Sequence, residues 1–179
     1  MIKAIIFDIN GVLITSSTPS ISEISAIRND RLAFSKKLSD FKSGKITAKT
    51  FWDDFINGTR KKVRPLKDIM LLLEELKNNY RIFALSNSIR ESTMEVLEEY
   101  GIRNYFDNVF TSFEIGYSKP DEEIFEYVLG QIRLKPEECL FIDDIKENTA
   151  TARILGFETL TISQPEKLRK AIISKGLLE

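Results

Sequence analysis

CLFIDDIKENTATARILGFETLTI, residues 139–162, places an apolar strand, a helix and a second strand in immediate succession. The hydrophobic pattern predicts strands at 139–143 and 157–162, with a helix at 147–155 between them. Two strands joined by a helical connection normally lie parallel in the same sheet. This stretch therefore indicates an α/β fold built on a parallel sheet.

The rest of the chain continues this alternation of short apolar strands and helices. Further strands are predicted at 2–8, 81–86 and 108–112, and further helices at 65–78, 89–100, 121–130 and 165–175. Proline near the helix starts and glycine after the helix ends support these boundaries, and Gly130 is predicted to end the helix at 121–130. The sequence thus predicts a doubly wound parallel sheet with helices on both faces.

The alternation is interrupted between the first and second strands. Residues 21–58 contain two or three short helical segments and no strand. An insertion at this point of an α/β sheet lies above the carboxyl ends of the strands, where such folds bind ligands. We therefore predict a core domain of residues 1–14 and 65–179 and a small helical cap of residues 15–64, which is a candidate lid.

Composition excludes several classes of partner and of chemistry. Lys and Arg number 26 against 27 for Asp and Glu, so the net charge of −1 creates no field that attracts nucleic acid or an anionic membrane. No segment is long and apolar enough to span a bilayer, and the first residues do not form a secretory signal. Cys139 is the single cysteine, which favours a reducing, cytoplasmic location. Because the chain has no histidine, its chemistry must rely on other groups, above all carboxylates.

Polar side chains occur where the predicted strands end. They are Asp8 and Asn10 after the first strand, Ser86 and Asn87 after the second, Lys119 at the start of a helix, and Asp143 and Asp144 after the fourth strand. Because the carboxyl ends of parallel strands point the same way, these groups are expected to converge on one crevice.

The chemistry of this group of residues points to phosphoryl transfer. Carboxylates placed together repel each other, and Mg²⁺, which prefers oxygen ligands, offsets that repulsion. Lys119 adds a compact positive charge, and Ser86 with neighbouring backbone amides can donate hydrogen bonds to a phosphate. A metal, a lysine and a hydroxyl together can neutralise phosphoryl oxygens while a carboxylate attacks phosphorus.

On these residues the sequence resembles the haloacid dehalogenase-like (HAD) hydrolase superfamily. "FDINGVLI" at 7–14 looks like the first motif of that family, "LSNS" at 85–88 the second, "SKPDEEIF" at 118–125 the third, and "CLFIDDIKENTATARILGF" at 139–157 the fourth. The segment "GKITAKTFWDDF" at 44–55 looks like the small helical cap of its first subfamily. The resemblance implies a Rossmann-like core and hydrolysis of a small phosphorylated metabolite with Mg²⁺.

The resemblance also implies a role for each site residue. Asp8 would be the nucleophile that forms an aspartyl-phosphate, while Ser86, Asn87 and Lys119 would hold the phosphoryl group. Lys119 would also restrain Asp8. The Mg²⁺ ligands would be Asp8, the backbone carbonyl of Asn10, Asp144 and, directly or through water, Asp143.

Asn10 departs from the pattern of the family's phosphatases, which usually have a second aspartate at this position. That aspartate gives a proton to the leaving group and later takes one from water, and an amide does neither. Three interpretations stay open: a phosphatase slowed by Asn10, a catalytically impaired phosphate- and metal-binding module, and a 2-haloacid dehalogenase. The sequence does not indicate an oligomeric state.

Overall fold

The computed structural model describes residues 1–14, 40, 45–47, 50, 67–88 and 90–179. Within these residues the strands are β1 Ala4–Phe7, β2 Arg81–Ser86, β3 Asn108–Thr111, β4 Cys139–Asp143 and β5 Glu158–Thr161. The α-helices are α1 Lys67–Lys77, α2 Arg90–Glu99, α3 Ser112–Ile115, α4 Glu122–Ile132, α5 Lys146–Ile154 and α6 Leu168–Ser174. Short 3₁₀ turns cover Arg103–Tyr105, Pro136–Glu138 and Pro165–Lys167.

The strands form one sheet in the order β3-β2-β1-β4-β5, and each pair of neighbours is parallel. The strand order reverses at β1, which is the topology of a doubly wound sheet. The predicted α/β, Rossmann-like parallel core is therefore confirmed. β1 lies between β2 and β4, so the residues that follow these strands are neighbours at the carboxyl edge.

The strands form a sheet that is buried on both faces because their residues are apolar almost without interruption. All four residues of β1 and all five of β4 are buried. On one face, side chains of the strands pack against α4, where the ring of Phe125 meets that of Phe141 edge-on at a centroid distance of 5.2 Å. A rigid, close-packed sheet of this kind holds the groups at its edge in fixed positions.

The predicted boundaries of β2 and β4 agree with the structure. The other three strands are one to three residues shorter than predicted. The predicted end of the helix at Gly130 is wrong, because α4 continues to Ile132 and Arg133 ends it in the left-handed conformation at φ 57°. Val128 and Ile132 are both buried, so the apolar face of the helix extends past the glycine. Packing thus outweighs the low helix propensity of one residue.

Gly130→Ala is expected to raise the free energy of unfolding by about 0.5–1 kcal/mol. Gly130 is helical, and a Cβ added there would meet nothing within 4 Å. Gly101→Ala is the matched control, because Gly101 has equal space but φ +66°, and we expect that variant to lose about 1 kcal/mol. Urea unfolding followed by circular dichroism measures both changes, and a loss of stability in Gly130→Ala would contradict the prediction.

The chain divides into two compact units, Met1–Thr15 with Arg64–Glu179 and Ser16–Val63. Nearly all of the second unit lies outside the described residues, so the helical cap at 15–64 stays a prediction. None of the helices in the described part of the chain has the length and apolar character needed to cross a membrane. The cytoplasmic location also stays a prediction.

Candidate active site

Two of the predicted carboxylates lie side by side where β1 and β4 end. Asp8 follows β1 directly, and its backbone N–H donates to the carbonyl of Ile142 at 2.8 Å, which extends the pairing of the two strands by one residue. Asp143 is the last residue of β4. Asp8 is only 7% exposed and Asp143 is fully buried, so both carboxyl groups need partners within the protein.

Lys119 supplies the partner for both carboxylates. Its Nζ donates to Asp8 Oδ1 at 2.6 Å, to Asp143 Oδ2 at 2.7 Å and to the carbonyl oxygen of Leu85 at 2.8 Å. An ammonium group has three hydrogens, so each has an acceptor. Lys119 reaches these partners from the segment between α3 and α4, and its side chain is only 1% exposed. The ion pairs are therefore shielded from water.

The charges in this cluster change one another's proton affinity. Burial lowers the pKa of Lys119, but the charges of Asp8 and Asp143 outweigh burial and raise it, so the lysine stays protonated. Burial raises the pKa of Asp8 to about 6, against the opposing effect of Lys119. Burial and the charge of Asp143 also raise the pKa of Asp144. Asp8 is thus mainly ionised at neutral pH.

Asp143 is fixed by further hydrogen bonds that were not predicted from the sequence. Its Oδ1 accepts from the backbone N–H of Ile145 at 2.8 Å, and the amide of Asn148 donates to Oδ1 at 3.1 Å and to Oδ2 at 3.0 Å. Asn148 is 3% exposed and comes five residues after Asp143. A polar amide at the start of a helix that packs on the sheet was the signal that could have identified it.

The carboxylates of Asp8, Asp143 and Asp144 form a group in which one oxygen from each lies within 4.8 Å of the others. One lysine cannot neutralise three carboxylates, so negative charge remains at this edge of the sheet. Carboxylate oxygens without nitrogen or sulfur donors suit a hard cation such as Mg²⁺. The donor set therefore fits the predicted metal.

Gly11 allows the turn after β1 to pass close to Asp144. Its φ is +86°, and a Cβ added there would lie 2.2 Å from Asp144 Oδ2. No side chain could occupy that space unless Asp144 moved. The glycine is thus required both by the backbone conformation and by the neighbouring carboxylate.

If Mg²⁺ occupies this carboxylate group, Gly11→Ala is expected to weaken its binding about 10- to 100-fold, because the new methyl group displaces Asp144. Gly116→Ala is the matched control, since Gly116 has φ +85° but nothing within 4 Å of an added Cβ. We expect the control to lose comparable stability to backbone strain and to bind Mg²⁺ as the wild type does. Isothermal titration calorimetry measures the affinities, and equal affinity in both variants would contradict the prediction.

The remaining predicted site residues lie around this cluster. Ser86 ends β2, is 1% exposed and accepts a hydrogen bond from Ser88 Oγ at 3.0 Å. The side-chain amide of Asn87 forms hydrogen bonds with the main chain of Lys119 through both its oxygen and its nitrogen.

Asn10 is half-buried in the turn after Asp8, where its main chain forms an isolated parallel β-bridge with Ile14. The structure therefore brings Asp8, Lys119, Asp143 and Asp144 together, while the phosphate contacts of Ser86 and Asn87 stay predictions.

A family model described as "Haloacid dehalogenase-like hydrolase" matches residues 20–162. The chain belongs to this family. The match covers the segments that carry Ser86, Lys119, Asp143 and Asp144, and it begins after Asp8. Together with the parallel sheet, it confirms the predicted HAD-like core, while the subfamily stays a prediction.

Similar proteins include enzymes that are named as phosphatases. The D-ribitol-5-phosphate phosphatase of Bacteroides thetaiotaomicron is 31% identical over 74% of this chain and 65% of its own length. The matches to four curated relatives, this one included, cover 36%, 49%, 65% and 51% of the relatives' lengths. The chain thus covers less than two thirds of each of these proteins.

Solved structures with the same fold cover nearly all of the chain. A predicted HAD-like hydrolase from Porphyromonas gingivalis superimposes with a TM-score of 0.72 at 28% identity, covering 100% of this chain and 99% of its own. A HAD-family enzyme from B. thetaiotaomicron, solved in complex with magnesium and inorganic phosphate, gives 0.67 at 25% identity and covers 90% and 94%. A protein of the same fold therefore binds magnesium and phosphate.

Proposed function

We propose that this protein is a Mg²⁺-dependent phosphatase that hydrolyses a small phosphorylated metabolite through an aspartyl-phosphate on Asp8. The observation that carries the proposal is the position of Lys119, whose buried amine bridges Asp8 and Asp143 at 2.6 and 2.7 Å. This arrangement keeps a carboxylate ionised and oriented at the carboxyl edge of the sheet. A purely structural ion pair would not need Asp144 as a further carboxylate beside it.

Asp8 would attack the phosphorus atom of the substrate. The bond from phosphorus to the ester oxygen breaks as the bond from Asp8 to phosphorus forms, and the leaving oxygen takes its proton from solvent, because Asn10 has none to give. Water then attacks the aspartyl-phosphate and gives up a proton to solvent, which releases inorganic phosphate and restores the Asp8 carboxylate. The ammonium group of Lys119 would offset the negative charge of the phosphoryl oxygens, and the hydroxyl of Ser86 would donate a hydrogen bond to one of them.

The residues that would hold Mg²⁺ are Asp8, the backbone carbonyl of Asn10, Asp143 and Asp144. When bound, the ion supplies positive charge that offsets both these carboxylates and the phosphoryl group. The magnesium and phosphate complex of the B. thetaiotaomicron enzyme supports Mg²⁺ as the metal. The relative named for D-ribitol 5-phosphate supports a small phosphorylated substrate.

A second candidate function is a binding module that holds phosphate and metal and does not hydrolyse the ester. Asn10 favours it, because its amide cannot exchange a proton with the leaving group or with water. The two candidates share the same site and differ in whether the proton-dependent steps take place. The dehalogenase alternative is tested separately by chloride release from 2-chloropropionate.

Hydrolysis of 4-nitrophenyl phosphate with and without Mg²⁺ tests the proposed function. We expect release of 4-nitrophenol with Mg²⁺ and its loss in excess EDTA, with recovery when Mg²⁺ is restored. Calorimetric titration with inorganic phosphate distinguishes the second candidate, which binds phosphate without turnover. A chain that neither hydrolyses this ester nor binds phosphate in the presence of Mg²⁺ would contradict both candidates.

A further inference from the structure

Asn87 makes a two-point contact with a residue far along the chain. Its Oδ1 accepts from the backbone N–H of Lys119 at 2.9 Å, and its Nδ2 donates to the backbone carbonyl of the same residue at 2.7 Å. These bonds join the end of β2 to the segment between α3 and α4 across 32 residues. Both functional ends of the amide are thus directed at the main chain of Lys119.

The position of the Lys119 main chain determines where its amine lies. The amine donates to three acceptors at 2.6, 2.7 and 2.8 Å, so a small displacement of the backbone lengthens at least one of these bonds. The adjoining turn is closed by a 2.8 Å bond from the N–H of Asp121 to the carbonyl of Ser118. The contact from Asn87 attaches the main chain of this turn to the loop after β2.

We infer that Asn87 is a positioning residue that acts through Lys119, rather than a ligand of the substrate. The inference rests on the proposed function. By fixing the main chain of Lys119, Asn87 holds the amine where it orients the carboxylate of Asp8 for attack. Removal of Asn87 therefore affects the chemical step more than it affects the binding of phosphate.

The first experiment measures the burst of 4-nitrophenol that accompanies aspartyl-phosphate formation in Asn87→Ala, with 4-nitrophenyl phosphate and Mg²⁺. We expect the rate constant of this burst to fall about 10- to 100-fold, the scale of a small displacement of a catalytic group, with the Kd for inorganic phosphate within about threefold of wild type. Asn87 is exposed, so the substitution should leave the fold intact. Asn79→Ala, at an exposed asparagine before β2, is the matched control and should behave as wild type.

A double-mutant cycle with Lys119→Met tests whether Asn87 acts through the lysine. If it does, adding Asn87→Ala to Lys119→Met changes the rate of aspartyl-phosphate formation less than about twofold, because the group being positioned is already absent. If Asn87 binds substrate by itself, the two losses multiply. Lys119→Gln, which also lacks the ammonium group, provides a second background in case Lys119→Met does not fold.

The outcomes separate this inference from the proposed function. An active wild type in which Asn87→Ala raises the phosphate Kd tenfold, or in which the losses multiply, overturns the inference alone. A wild type that neither hydrolyses the ester nor binds phosphate overturns the proposed function and the inference with it. A fall confined to the rate of aspartyl-phosphate formation, together with losses that do not multiply, supports the inference.

Discussion

Asp8→Asn is expected to lower kcat at least about 10⁴-fold, because an amide cannot attack phosphorus to form the covalent intermediate. The amide oxygen can still accept from Lys119, which donates to Asp8 Oδ1 at 2.6 Å. The site should therefore keep its shape and its ability to bind phosphate. Steady-state hydrolysis of 4-nitrophenyl phosphate with Mg²⁺ measures the loss, and turnover within tenfold of wild type would exclude Asp8 as the nucleophile.

The same variant tests the raised pKa of Asp8 through the pH dependence of stability. The pKa of Asp8 is about 6 in the folded protein against 3.8 ordinarily, so its ionisation is less favourable in the folded state. Between these values the folded state binds more protons than the unfolded state, and stability falls as pH rises. In EDTA we expect wild type to lose stability from about pH 4 to pH 6 relative to Asp8→Asn. Parallel unfolding curves across this range would contradict the assignment of that pKa.

Asn10→Asp is expected to raise kcat about 10²- to 10⁴-fold, the usual contribution of a general acid and base. Asn10 follows Asp8 by two residues in the same turn, and the added carboxyl group can exchange protons with the leaving alcohol and with water. Inorganic phosphate should bind with little change, since the metal contact assigned to Asn10 uses the main chain. Stopped-flow kinetics with 4-nitrophenyl phosphate measures both steps.

Asn10→Gln is the matched control for this gain, because it keeps an amide and should not raise the rate. Acid-quenched wild type should accumulate aspartyl-phosphate on Asp8, whereas Asn10→Asp should not, because its second step is no longer slow. Peptide mapping must show Asn10 intact in the wild-type sample, since Asn followed by Gly is prone to deamidation. If wild type turns over as fast as Asn10→Asp without a phosphoenzyme, proton transfer does not depend on this position.

Asn87 and Asn10 illustrate two different limits on catalysis at one site. Asn10 would limit proton transfer, because an amide cannot act as an acid or a base, and this follows from the residue type alone. Asn87 concerns the position of Lys119, which depends on hydrogen bonds between segments 32 residues apart. A rate measurement on Asn10→Asp and Asn87→Ala separates these effects, because the first is expected to speed dephosphorylation and the second to slow formation of the aspartyl-phosphate.

The sequence by itself determined the fold class and the identity of the principal polar groups. Strands such as CLFID at 139–143 are apolar along their length, and only a sheet covered on both faces buries such a run. The carboxylates follow these strands directly, so their convergence at one edge was predictable from parallel topology. These features are local in sequence, which is why they can be recognised without the structure.

Only the tertiary structure decided which groups contact one another. The resemblance already implied that Lys119 restrains Asp8, 111 residues away, but no pattern in the sequence specifies that its amine also binds Leu85 and Asp143. The same is true of the helix that continues through Gly130, where packing against the sheet outweighs the local preference of glycine to end it. Local patterns fix secondary structure, whereas distances between distant segments follow from the packing of the whole core.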